Sequence, residues 1–272
     1  MGFRGHDEWR DMSDYVVHFT KPLRGDGPPP TPAPPANAGC LTRAELLERV
    51  RAWEAADDSG YPQMTSILYG GVLKPGGAPL GAARQLNALG DSQHVVCFSE
   101  IPLGMLDRLV ERRSRYGIGF RKDVLVAKGG TPLWYVDRDS LQALAISQII
   151  DEKVTAGIDP DDPFWTLTPF IDHPGVYNGR PCRFEWEREW RIAGEVPFKP
   201  EDVAFLFIPE ELHDQARQFF ADVKVEPSGP VYECSYIDPG WPIERIEEAL
   251  ASVPPLPDPG PDAVPWWVEP WE

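Results

Sequence analysis

Sulfur, positive charge and long apolar runs are what this chain has least of. Its 272 residues include 4 cysteines and 5 histidines. Cys40, Cys97, Cys182 and Cys234 lie far apart with no C-x-x-C pair, which excludes a zinc signature and a disulfide framework readable from spacing. The histidines are too scattered to propose a metal site. No apolar run approaches a membrane span, and the stretch from Met1 to His6 lacks the apolar core of a secretory signal. A cytoplasmic chain with no membrane partner is the expectation. G-x-S-x-G, H-E-x-x-H and Walker signatures are missing too. The glycine-rich loop from Lys74 to Gly81 does not have the P-loop order.

Lys and Arg number 26 against 43 Asp and Glu, a formal net charge of −17. Such a field repels nucleic acid at long range, so nucleic acid as a partner would need a local basic patch. The main cationic stretch is Arg108, Arg112, Arg113, Arg115, Arg121 and Lys122. It suits a solvated helix face, or a seat for phosphate groups.

What remains is a chain with 42% hydrophobic residues, enough for a core, and a mixture of short elements. β-Branched and aromatic residues mark strands at 14–20, 94–99, 131–136 and 203–208, with a strand start near 116–120. Helical spacing or caps mark 65–70, 103–115, 141–150, 210–223 and 243–251. Asp139 or Ser140 can cap the third of these. Thr42 and Glu45 form a capping box that starts a helix running to about 56. Residues 22–39 are Pro-, Gly- and Ala-rich and read as a loop. Strands and helices alternate irregularly, so the fold class is α+β. We expect a single domain over 1–252 and an extended acidic Pro- and Trp-rich tail over 253–272.

One run stands out: Phe184-Glu-Trp-Glu-Arg-Glu-Trp-Arg-Ile192, read as strand throughout. Alternation puts Glu185, Glu187, Glu189 and Arg191 on one face and Trp186, Arg188, Trp190 and Ile192 on the other. Crowded carboxylates suit a solvated face, with Arg191 as counter-charge, or a site that needs them; flanking tryptophans favour partial burial, which perturbs carboxylates. His18 and Ser99 also break apolar strands. Taken alone, His18 suits a satisfied core histidine and Ser99 a helix cap before Pro102.

Several segments carry a resemblance to a known family. Tyr15–Thr20, Ser66–Gly71, Val96–Leu103, Tyr116–Phe120 and Glu187–Ile192 occur in the order found in the AbiGi group of abortive-infection proteins, which the chain resembles over roughly 14–210. More distantly, it is similar to NAD-using ADP-ribosyltransferases, including the DarT group of DNA-modifying toxins. That likeness implies a split β-sheet core with flanking helices and NAD as substrate. It also implies site roles. Glu189 would stabilise the oxocarbenium-like state through the ribose 2′-hydroxyl, and Glu187 would face the acceptor. His18 would bond the adenosine ribose, with Thr20 beside it in the NAD-binding segment. Ser99 would brace Glu189, Tyr116 would stack on nicotinamide and Arg121 would meet the pyrophosphate. This reading requires His18, Ser99 and Glu189 to share one cleft.

The alternative is a non-catalytic antitoxin or regulatory protein of such a defence system, with a protein partner. Acidic charge suits masking a basic partner or mimicking nucleic acid. Trp266, Trp267 and Trp271 could anchor an interface or pack back on the domain. A plain structural domain is the third reading.

Overall fold

The computed structural model describes residues 14–20, 60–100, 106, 110, 114–173, 175–177, 180–182, 188–225 and 229–253. The Pro-rich stretch at 22–39, the Thr42–Glu45 box, most of the 103–115 helix, Glu185, Glu187 and the tail from Pro254 lie outside these residues.

The described elements run β1 (Tyr15–Phe19), α1 (Gly60–Gly70), β2 (Val72–Leu73), β3 (Val95–Glu100), β4 (Gly117–Arg121), α2 (Lys122–Ala127), β5 (Thr131–Pro132), β6 (Trp134–Tyr135), α3 (Leu141–Ala156), α4 (Phe164–Leu167), β7 (Ile171–Asp172), β8 (Gly175–Tyr177), β9 (Arg180–Cys182), β10 (Glu189–Ala193), β11 (Val196–Pro197), β12 (Val203–Phe207), α5 (His213–Val225), β13 (Ser235–Ile237) and α6 (Ile243–Ala251). The architecture is α+β. Its centre is a 7-stranded sheet in the order β13-β12-β4-β1-β3-β10-β5. Every pairing in it is antiparallel except β12 with β13.

Alternation along the strands divides the core. Val16, Phe98, Ile118, Phe120, Trp190 and Ile192 pack on one face with Tyr61, Met64 and Leu68 of α1 and Phe220 of α5. Val17, Phe19, Phe205 and Phe207 pack on the other with Ile246 and Leu250 of α6. We call these the α1 face and the α6 face. All five residues of β12 are buried, because both of its faces are covered. That explains why its sequence shows a continuous apolar run without alternation. Helix α3 starts where its cap predicts: Ser140 Oγ accepts the Ala143 amide at 3.1 Å.

The 184–192 run is not strand throughout. β10 begins only at Glu189, and Arg188 before it has φ 41°, a left-handed conformation that a β-strand cannot contain. Within β10 the expected alternation holds: Glu189 and Arg191 share a face, and Trp190 and Ile192 take the other.

Close approach of strands is enforced by glycine at one central point. Gly119 pairs with Val17 and Phe205, and a Cβ there would lie 2.5 Å from the Phe205 ring. That ring is 1% exposed and has nowhere to move. Gly119→Ala is expected to cost about 1–3 kcal/mol in urea denaturation through overpacking. Gly76→Ala, with nothing within 4 Å of the new methyl, should be near neutral.

Candidate functional site

Register fixes where each site residue points. Val16 lies opposite Glu100 and Val17 opposite Ser99, so Ser99 faces the α6 side with Val17. Glu189 lies opposite Ser99 and Arg191 opposite Cys97, which places both on that same face. His18 is one residue on from Val17 and so points to the α1 face, where its ring meets Phe98 edge-on at 5.8 Å. Ser99 and Glu189 are therefore neighbours, and His18 is on the far side of the sheet. The shared cleft required above does not form. The cause is the period of two: neighbouring positions of one strand cannot face the same side.

His18 has a local role. The paired register of β1 with β3 ends at Val17–Ser99, and the His18 Nδ1 then lies 3.0 Å from the Cys97 carbonyl. A carbonyl only accepts, so Nδ1 carries the proton. Thr20 Oγ1 donates to the Gly60 carbonyl at 2.7 Å and ties β1 to the start of α1. Tyr116 is 6% exposed and belongs to the core, 5.7 Å from the Tyr61 ring. Ser99 is buried within β3, and the start of the helix it was expected to cap lies outside the described residues. Arg121 donates to both oxygens of Asp123. Arg115 meets Asp238, and Lys122 meets Glu100. These three members of the cationic stretch are thus engaged by carboxylates rather than gathered as a phosphate seat.

On the α6 side, Glu189 belongs to a charged network with a buried centre. Arg191 donates through Nε to Glu189 Oε1 at 2.8 Å, through Nη1 to the Pro169 carbonyl at 2.6 Å and through Nη2 to Asp172 Oδ2 at 3.1 Å. Arg84 holds the other Asp172 oxygen at 2.9 Å. The second Glu189 oxygen lies 3.5 Å from the Tyr135 hydroxyl. Side-chain exposures are 3% for Arg191 and 14% for Glu189. Burial alone would raise the Asp172 pKa, but the His173 amide and the Arg191 and Arg84 guanidinia outweigh it and the net shift is downward. Burial would likewise lower the Arg191 pKa, but the Glu189 and Asp172 carboxylates raise it instead. Chemically this is a guanidinium fork closed around two carboxylates and a carbonyl.

Residues 84–218 match the family model described as "Putative abortive phage resistance protein AbiGi, antitoxin". That segment is AbiGi-like. No curated protein and no solved structure matches the chain. The matched segment contains β3 through β12, and with them Ser99, the whole Arg191 network and α3; His18 and Thr20 precede it. Among the described residues, no cluster of His, Cys, Asp or Glu could hold a metal ion, and no helix is long and apolar enough to cross a membrane.

The matched segment also holds a carboxylate, closing the apolar run from Val95, to which the sequence alone assigns no role. Glu100 is 6% exposed and points to the α1 face. Lys122 lies at 2.9 Å, Arg188 at 3.4 Å and the Trp190 indole N–H at 3.1 Å. Its backbone N–H also donates to the Arg188 carbonyl, which holds the positive-φ residue in place. The signal was a charge closing the apolar run from Val95; its three partners lie too far along the chain to be read locally.

The Asp172 shift has a pH consequence. Its pKa in the folded state lies below the ordinary 3.8, so its contribution is complete above that value and is lost as pH falls through the folded-state pKa. Asp172→Asn should destabilise by about 3 kcal/mol at neutral pH, as for breaking a buried pair. In urea denaturation the gap to wild type should narrow on acidification below the ordinary carboxylate range.

Proposed function

We propose that this chain is the antitoxin of an abortive-infection system, a binding protein that seats and restrains a partner protein. The observation that carries the reading is the match of residues 84–218 to a family described as an antitoxin. Two features support it. Glu189, the residue that transferase chemistry would need, has one oxygen held by Arg191 and the other near Tyr135, on the face opposite His18. The net charge of −17 favours rapid, specific association with a basic protein. In this reading Glu189 is a structural carboxylate and NAD is not a substrate.

The test is co-expression with the toxin that the chain accompanies, joined to a thermal-shift assay with NAD. Wild type and Glu189→Gln are both expected to restore growth of toxin-expressing cells, and NAD to leave the melting temperature unchanged. Loss of rescue in Glu189→Gln as a folded protein, together with stabilisation by NAD, would return the ADP-ribosyltransferase reading.

A further inference from the structure

We propose that one internal water molecule is bound between Ser99 of β3 and Glu189 of β10, as a fixed member of the Arg191 network. The proposal goes beyond the antitoxin reading and does not depend on it. It starts from a hydroxyl. Ser99 is 6% exposed, and its side chain makes no hydrogen bond among the described residues. Every other buried polar or charged side chain among them makes at least one. A buried hydroxyl without a partner is costly, and native interiors pair it with protein or with internal water.

Register supplies the second anchor. The Glu100 amide donates to the Arg188 carbonyl and the Gly194 amide to the His94 carbonyl, which marks both as hydrogen-bonded pairs of the β3–β10 ladder. Ser99 and Glu189 lie one step in from the first of these and are therefore a pair without ladder bonds. Such pairs bring side chains closest, with Cα atoms about 4.5 Å apart. Both side chains face the α6 side, yet they make no bond with each other. The other cross-strand neighbour of Ser99 is Val17, which has no polar side-chain atom.

Glu189 has acceptor capacity to spare. Its Oε1 accepts from Arg191 at 2.8 Å, whereas Oε2 lies 3.5 Å from the Tyr135 hydroxyl, too far for a good O–H···O bond. The water accepts from Ser99 Oγ and donates to Glu189 Oε2, with the Tyr135 hydroxyl as a third polar neighbour. Two to four such partners are what an internal water requires. Burial selects water over a larger hydroxyl-bearing ligand, since the Glu189 side chain is only 14% exposed. In this arrangement both Glu189 oxygens are engaged, and the charged network extends from β10 to β3.

Urea denaturation of the full chain tests the bridge, joined to crystal structures of wild type and Ser99→Ala. Removing a truly orphaned hydroxyl would leave stability unchanged or raise it. Removing one that anchors a bridging water should instead increase the unfolding equilibrium constant about fivefold or more. In a Glu189→Met background, which offers the water no acceptor, the same Ser99→Ala change should have no effect or be stabilising. The wild-type crystal should show an oxygen within hydrogen-bond distance of Ser99 Oγ and Glu189 Oε2, lost in Ser99→Ala; these two structures decide the matter if Glu189→Met does not fold. Ser99→Ala as stable as wild type, an equal loss in both backgrounds, or a direct Ser99–Glu189 hydrogen bond in the crystal would each overturn the proposal.

Discussion

Arg191 brings a full charge into the interior from the middle of β10. Desolvating a guanidinium is costly unless every donor is met, and here Nε, Nη1 and Nη2 each have an oxygen acceptor. Two of those acceptors, the Pro169 carbonyl and Asp172, belong to the segment after α4. The fork therefore fastens that segment to the central sheet. Arg84 extends the tie by holding the same Asp172 from the other side. The small apolar clusters beneath α3 and α4 hold no residue of the central sheet, so the Arg191 side chain is a direct polar tie between that segment and the sheet.

The same fork determines what Glu189 can do. A carboxylate that stabilises a developing cation needs an oxygen directed at substrate. Glu189 instead supplies half of the negative charge that keeps Arg191 folded. The opposite face has its own charged anchor in Glu100, held by Lys122, Arg188 and Trp190. The two carboxylates flank the start of β10 on opposite sides, and together they fix a strand whose first neighbour, Arg188, is left-handed. In this fold Glu189 and Glu100 each hold basic side chains at the start of that strand.

Much of the architecture could be read locally. β1, β3, β12, α6 and the Ser140 cap follow from apolar pattern and cap chemistry, and the pairing of Glu189 with Arg191 follows from their spacing in a strand. What could not be read was the relation between strands. Alternation says that Val17 and His18 face opposite ways, but not which of them faces with Ser99; the β1–β3 register decides that, and register is a tertiary property. Glu100 was hidden for the same reason. The left-handed backbone at Arg188 was missed because the sequence alternation runs through it unbroken, while the Glu100 amide bond that holds it comes from another strand.

The central claim, that Glu189 is a structural counter-charge for Arg191, is tested most directly by a double-mutant cycle. Glu189→Gln, Arg191→Met and the double variant would be compared with wild type by urea denaturation. A coupling energy of about 1–3 kcal/mol is expected for a contacting pair with one buried member. Additive effects, with a coupling near zero, would contradict the claim and leave Glu189 available for another task.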